Sequence, residues 1–327
     1  LYAERYFLQT TLMIKSTHPE FEKLILGVPV NSTLELLGFL DDIGVPYSKE
    51  GSALTLNPGL DLLDEATIRA ELQHWVSGYQ MSTMALEIHR VTQSTNDVVM
   101  QRLAERQSTT ILCAAEMQTA GKGRRGRRWV SPFGRNIYLT YGRVIGRQLS
   151  ELGGLSLVVG MQVVDVLRSM GLERVGLKWP NDIVLDGGKL GGILIELRAS
   201  SARGISIVAG VGLNLSLKSG EASSIDQPWS VISSQLAMPR NILLGRLGGM
   251  MVNVIQAFED VGFDSYSRKW DEYNLYAGQQ INVIRGSEII SGIDSGVDLE
   301  GNLLLRTEAG LEVHNSGEVS VRPVSRT

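Results

Sequence analysis

The sequence predicts an α+β chain in three parts: an N-terminal winged-helix-like module, a central domain of mixed helices and strands, and a small C-terminal β-domain. Three observations predict this division. Short helical patterns followed by two strands around a glycine turn occupy residues 1–65. Helix-length and strand-length apolar runs interleave across 66–275. Residues 276–327 hold only short apolar runs, spaced about 8–12 residues apart by glycine-containing turns, the pattern of a small sandwich or barrel. At 327 residues the chain is long enough for these parts.

In the first part, a turn at Gly27-Val28-Pro29 precedes a helix expected over Ser32 to Asp42. Val45-Pro46-Tyr47, Lys49 to Ser52 and Leu54-Thr55-Leu56 then read as strand, turn and strand. In the second part, Ser94-Thr95-Asn96-Asp97 has a capping-box pattern opening a helix from Asp97 to about Arg106. Thr110 to Ala115, Val175 to Leu177, Ile193 to Leu197 and Ile205 to Val211 read as strands. Gly154 to Met170 reads as a buried helix, and Leu243, Leu247, Met250, Val254 and Phe258 mark the core stripe of another. In the third part, strands are expected at Gln280 to Ile284, Ile289 to Ile293, Leu303 to Arg306, Leu311 to Val313 and Val319 to Arg322.

Composition narrows the function classes. Hydrophobic residues at 43% and charged residues at 20% are globular rather than disordered composition. One cysteine, Cys113, excludes a disulfide framework and a multi-cysteine zinc site, and no residue is assigned to a metal. A net charge of -4 gives no global basicity for nucleic acid, so any cationic site is local. The apolar run Leu155 to Leu167 is broken by Gln162 and Asp165 and is too short to span a membrane. Tyr6 to Ile14 carries Gln9, Thr10 and Thr11, with no cleavage site after it. A cytoplasmic protein is expected, and because the chain opens on Leu1, native residues are expected before it.

The most unusual segment is Gly121-Lys122-Gly123-Arg124-Arg125-Gly126-Arg127-Arg128-Trp129, a dense cationic loop in an acidic chain. Gly121-x-Gly123-x-x-Gly126 matches a dinucleotide fingerprint literally, but Ser131-Pro132-Phe133-Gly134 interrupts the helix that must follow. No carboxylate occurs between Glu116 and Glu151 to hold a ribose. What stands is a glycine-rich loop whose guanidinium forks suit phosphate or carboxylate, or else a solvated basic turn or nucleic-acid contact. Its crowded like charges predict a loop that is mobile when empty and ordered by an anion. A second segment is Lys178-Trp179-Pro180-Asn181-Asp182, followed by Lys189 beyond Gly187-Gly188. Trp-Pro extends the backbone after a strand and aims Asn181 and Asp182 from its end, although Pro-Asn-Asp alone is an ordinary turn. The third segment, Ser94-Thr95-Asn96, is an N-cap whose hydroxyl and N–H groups equally suit a polar small molecule.

Together these three segments resemble the motifs of the biotin–protein ligases, with Lys122 standing where that family has arginine. Ser131 to Gly134, Lys189-Leu190-Gly191-Gly192-Ile193-Leu194 and Gly210-Val211-Gly212-Leu213-Asn214 match in the same order, so the resemblance covers roughly residues 66 to 327. It implies a mixed-sheet catalytic domain of class II synthetase type over 66–275 and an SH3-like barrel over 276–327. It also implies ATP-dependent activation of biotin, with Mg²⁺, to biotinyl-adenylate and pyrophosphate. Biotin then passes to one lysine of a biotin carboxyl carrier protein or domain.

By the same resemblance Ser94, Thr95, Asn96, Gln118, Lys122, Gly123, Arg124 and Lys189 bind biotin. Arg124, Arg125, Arg127, Arg128, Trp129, Lys178, Asn181, Asn214, Trp229 and Arg322 bind ATP or the adenylate. Lys189, Asp182 and Arg124 are the catalytic candidates, with Asp182 as base or orienter for the incoming amine. Members of the family pair through their catalytic sheets, which makes Gly191 to Leu197 the expected edge of a homodimer.

Bifunctional members use the N-terminal module as a biotin-responsive repressor domain. Residues 1–55 argue against that role here. They carry Arg5, Lys15, Lys23 and Lys49 against Glu4, Glu20, Glu22, Glu35, Asp41, Asp42 and Glu50, and the helix expected to read DNA has no cation. A ligase without repressor function is the favoured reading, and a ligase that is also a repressor is the alternative. A lipoate–protein ligase is more remote, because the Arg-Arg and triple-Gly signature of that branch is missing.

Overall fold

A computed structural model of the chain describes residues 18–57, 60–105, 110–146, 148–200, 204–217, 220–232, 239–317 and 319–323. The 6–14 stretch, the cations Arg5 and Lys15, and Glu318 lie outside the described residues. The N-terminal part is α1 (Pro19–Ile25), β1 (Val30–Asn31), α2 (Leu34–Asp42), β2 (Tyr47–Glu50) and β3 (Ala53–Leu56). Helix α2 starts later than Ser32 because Thr33 is its cap, its hydroxyl accepting from the Leu36 N–H at 3.1 Å. The three strands form one antiparallel sheet in the order β1-β3-β2. Phe21, Leu24, Leu36, Leu40 and Leu54 are its core, and Phe133 from the central domain is buried among them.

The centre of the molecule is a seven-stranded sheet. Its elements in order are α3 (Glu65–Leu72), α4 (Gly78–Thr83), β4 (Met84–Thr92), α5 (Thr95–Ala104), β5 (Thr110–Gln118), β6 (Ile137–Ile145), α6 (Leu155–Ser169), β7 (Val175–Lys178), β8 (Asp182–Leu185), β9 (Gly188–Ser200), β10 (Gly204–Leu213) and α7 (Arg240–Val261). The strand order is β4-β5-β6-β10-β9-β8-β7, antiparallel except for the β4–β5 pair. Successive residues face opposite sides of a strand, and both sides are covered. Ile111, Cys113 and Val208 meet Val99 and Leu103 of α5, whereas Leu112, Ala114, Leu139 and Ile207 join the larger core built with α6 and α7. This two-sided burial explains why these strands read as continuous apolar runs.

The C-terminal strands β11 (Gln280–Arg285), β12 (Glu288–Val297), β13 (Leu303–Thr307), β14 (Gly310–His314) and β15 (Ser320–Pro323) form an antiparallel sheet in the order β14-β13-β12-β11-β15. Trp179 ties it to the central domain by donating its indole N–H to the Gly301 carbonyl at 3.0 Å. Among the described residues no helix is long and apolar enough to cross a membrane.

Two expectations are corrected. Ser94 is the N-cap of α5, but its side chain makes no capping hydrogen bond, and Asp97 instead pairs with Lys122. The segment Gly191 to Leu197 is not a free edge throughout: Gly191 and Gly192 pair with β8 on one side and β10 on the other. Beyond the Ile193–Asn181 hydrogen bonds, β9 is longer than β8 and its ladder continues only with β10.

Candidate active site

The face of the sheet covered by α5 is cleared near the carboxyl end of β10. A Cβ on Gly210 would lie 2.3 Å from Asn96 Oδ1, and one on Gly212 would lie 2.7 Å from the Trp129 ring. These positions admit only glycine without displacing a neighbour. The space they leave is a cavity of about 380 Å³, closed on one side by Val319 to Arg322 of the C-terminal domain. All eighteen residues singled out from the sequence line it.

Its floor is neutral and hydrogen-bonded. Gln118 Oε1 accepts from the Thr95 backbone N–H at 2.9 Å and lies 3.1 Å from the Thr95 hydroxyl, while Gln118 Nε2 donates to Ser131 Oγ at 3.1 Å. Thr140 Oγ1 lies 2.8 Å from Thr95 Oγ1 and 2.7 Å from Asn96 Oδ1. Asn96 Nδ2 donates to Glu196 Oε2 at 2.7 Å. Ser94, with no cap to make, lines the cavity beside them.

The walls are charged. Lys178 and Asp182 face each other across the β7–β8 hairpin, and the Trp179–Pro180 bond between them is cis. The Lys178 ammonium is 2.8 Å from one Asp182 oxygen and the Lys189 ammonium 2.5 Å from the other. Burial opposes ionisation of Asp182, but the two lysines outweigh it and hold the carboxyl below its ordinary range. Burial likewise pulls the Lys178 ammonium below its ordinary range, with Asp182 acting against the shift. The Lys189 ammonium also sits 5.5 Å from the centre of the Trp129 ring, a cation–π contact.

The cationic segment folds as a hairpin. Lys122 and Arg128 bridge, the Gly123 N–H donates to the Arg127 carbonyl at 2.7 Å, and the Trp129 N–H donates to the Gly121 carbonyl at 2.8 Å. Arg125 and Gly126 turn the chain at φ of 59° and 72°. Arg124 points inward, donating to Asn181 Oδ1 at 3.1 Å and to the Ser316 carbonyl, whereas Arg125, Arg127 and Arg128 are exposed. Trp229 pairs by backbone with Lys189, and Asn214 Nδ2 donates to the Lys189 carbonyl at 3.4 Å, so both steady the lysine from outside. Arg322 reaches in from β15 and donates to Gln227 at 3.5 Å.

Eight cations and two carboxylates, Asp182 and Asp226, line the cavity. It therefore suits a ligand carrying several negative charges joined to a neutral polar group. Sequence reading missed Thr140, Glu196, Asp226 and Gln227: the first two are ordinary strand residues, and the last two lie in a segment without a distinguishing pattern.

A mixed sheet with a cation-walled cavity beside a small C-terminal β-domain defines a class of ligase fold, and comparison with known proteins places the chain within it. Residues 88–214 match the Biotin/lipoate A/B protein ligase family and residues 276–322 the Biotin protein ligase C terminal domain. The Bifunctional ligase/repressor BirA of Salmonella typhimurium is 34% identical over 285 residues, 86% of each chain. The Biotin--[acetyl-CoA-carboxylase] ligase of Mycobacterium tuberculosis is 32% identical over 79% of this chain and 95% of its own. The biotin protein ligase from Aquifex aeolicus, solved in complex with biotin and ATP, is 27% identical with a TM-score of 0.57, covering 73% of this chain and 99% of that one. The chain belongs to the biotin protein ligases, within the biotin/lipoate A/B protein ligase family.

Proposed function

We propose that the chain activates biotin with ATP to biotinyl-adenylate and transfers biotin to a lysine of a biotin carboxyl carrier protein or domain. The observation that carries this reading is the juxtaposition of a neutral floor (Thr95, Asn96, Gln118) with eight cations in one cavity. A carboxylate oxygen of biotin attacks the α-phosphorus of ATP, the α–β P–O bond breaks, and pyrophosphate leaves. Two anions must approach for this step, and Arg124 and Lys189 offset their repulsion while Lys178, Arg322 and the outer arginines take the leaving charge. In the second step a neutral lysine amine attacks the acyl carbonyl, the bond from the carbonyl carbon to the phosphate oxygen breaks, AMP leaves, and the proton lost from nitrogen passes to the departing phosphate or to water. Asp182 orients Lys178 and Lys189 rather than acting as base, because both its oxygens are already paired with ammonium groups.

Among the described residues no group of three His, Cys, Asp or Glu side chains can hold a metal. Magnesium would come with ATP, where the phosphate oxygens supply its ligands. The closed hairpin over the cavity shields the water-sensitive adenylate.

The reading extends to the whole chain: a winged-helix-like module over 1–65, a catalytic domain over 66–275, an SH3-like barrel over 276–327, and a cytoplasmic enzyme. A homodimer would add strands at the part of β9 paired only with β10. A ligase without repressor function is the favoured reading, supported by the outer face of α2, which exposes Leu34, Glu35, Gly38, Asp41 and Asp42, a surface that repels phosphate; a ligase that is also a repressor is the alternative. The test is pyrophosphate exchange into ATP with biotin, with lipoate and with neither acid. Exchange with biotin alone is expected; exchange with lipoate alone, or with neither acid from a folded sample, rejects the reading.

A further inference from the structure

We propose that Glu196 is a positioning residue that fixes the hydrogen-bond polarity of the cavity floor, so that Thr95 Oγ1 offers a lone pair to a urea N–H of biotin. The inference rests on the biotin reading and deepens it. It follows from counting protons along one chain of contacts. A carboxylate only accepts, so Glu196, 2.7 Å from the Asn96 amide, obliges Asn96 to turn its Nδ2 outward and its Oδ1 inward. The Leu194 carbonyl, 3.5 Å from the same nitrogen, favours the same orientation. A flipped amide would set its oxygen against the carboxylate.

With Asn96 Oδ1 facing inward, the Thr140 hydroxyl must donate to it, at 2.7 Å. Thr140 has one proton, so the 2.8 Å contact with Thr95 Oγ1 requires the Thr95 proton. Gln118 Oε1, which accepts the Thr95 backbone N–H at 2.9 Å and keeps a second lone pair, is the other acceptor within the protein for the Thr95 proton, at the longer distance of 3.1 Å. Thr95 therefore directs its proton into the protein and keeps its lone pairs for the ligand. Removing the constraint at Glu196 lets the chain reverse, so that Asn96 donates to Thr140 and Thr140 to Thr95, and the Thr95 proton is then shared between Gln118 Oε1, 3.1 Å away, and the ligand. A cyclic urea presents two N–H donors and one carbonyl, and an N–H against a donating hydroxyl is a mismatch. The relay is protected from water: Thr140 is fully buried and Asn96 is 4% exposed.

The experiment compares full-length wild type, Glu196→Gln and Thr140→Val in biotin-dependent pyrophosphate exchange, with thermal melts alongside. A glutamine of equal size accepts or donates, so it lifts the constraint on direction but also removes one negative charge; Thr140→Val, which keeps that charge, separates the two effects. Glu196→Gln is expected to raise the biotin KM roughly fivefold to tenfold, the size of one lost or mismatched hydrogen bond, with kcat at saturating biotin and the melting temperature unmoved. Desthiobiotin, which keeps the urea and lacks the thioether, should show the same ratio, and Thr140→Val the same split. A fall in kcat with an unmoved KM, or an unmoved KM in whichever variants fold, overturns the inference alone. Wild type without biotin-dependent exchange overturns the biotin reading and this inference together.

Discussion

Asp182 accepts from two ammonium groups while itself nearly buried, and its position decides what the carboxylate can do. A base must have an oxygen free for the incoming proton and an affinity for it; here both oxygens are occupied and the carboxyl is held below its ordinary range by Lys189 and Lys178 against the effect of burial. Asp182→Asn leaves two lysines facing each other without an anion between them, which misplaces Lys189. Adenylate formation is expected to fall about a hundredfold, the cost of losing geometry near the reacting atoms. The stability consequence has a definite sign. A carboxyl depressed in the folded state stabilises fully above its unfolded value, 3.8, and that contribution is lost as pH falls through the lower folded value. The gap in unfolding free energy between wild type and Asp182→Asn should therefore narrow below about pH 3.8. Urea unfolding across that range measures it, and a gap independent of pH contradicts the assignment.

At the scale of elements, α5 carries Thr95 and Asn96 to the floor, and its seat on β6 is set by one glycine. A Cβ on Gly142 would lie 2.2 Å from Val99 Cγ1 and 3.1 Å from Leu103 Cδ1, so the helix rests directly on the strand backbone. Gly142→Ala is expected to cost about 1–3 kcal/mol by overpacking and, by lifting the start of α5, to raise the biotin KM. Chemical denaturation and steady-state kinetics on one preparation check both; a stability loss with an unmoved KM would show that the helix end is held independently. That glycine was invisible in the sequence because its neighbours lie on other elements. The segments carrying charge were legible: Lys178 to Asp182, Lys189 and the hairpin from Gly121 to Trp129 combine residue types that a bare turn does not need. Strand positions at Thr110, Val175 and Ile205 were legible through two-sided burial, and the C-terminal strands through their turn glycines. Strand order was not, since β10 enters between β6 and β9, and only that order brings Asn96 to Glu196. Helices α3 and α4 are short, with little apolar periodicity, and went unread. At Ser94 the capping-box pattern misled, because Asp97 is claimed by Lys122 and the serine is left to the cavity.

Across the whole molecule, the N-terminal module is joined to the catalytic sheet by both apolar and ionic contacts. Phe133, 4% exposed, lies 5.5 Å from Phe21 of α1 in an edge-on arrangement, with rings inclined at 65°. Beside it runs an ionic chain from the half-buried Glu22 into the interior: Glu22 to Arg90 at 3.5 Å, Arg90 to Glu116 at 3.2 Å, and Arg240 to Glu116 at 2.6 Å. Phe133 is two residues from Ser131, which supports Gln118 on the cavity floor, so module and site share a short segment of chain. A module held only as a tethered reader of DNA would need neither contact. Phe133→Ala removes the ring from the module's core and is expected to cost about 3–5 kcal/mol, as for a fully buried phenylalanine, because the rings around it cannot collapse without moving α1. In wild type, tryptophan fluorescence and far-UV circular dichroism should report one coincident urea transition. In Phe133→Ala the dichroism transition should begin earlier than the fluorescence transition, since Trp129, Trp179 and Trp270 all lie outside the module. Coincident and unshifted transitions in the variant would mean that the module and the catalytic sheet fold without regard to each other.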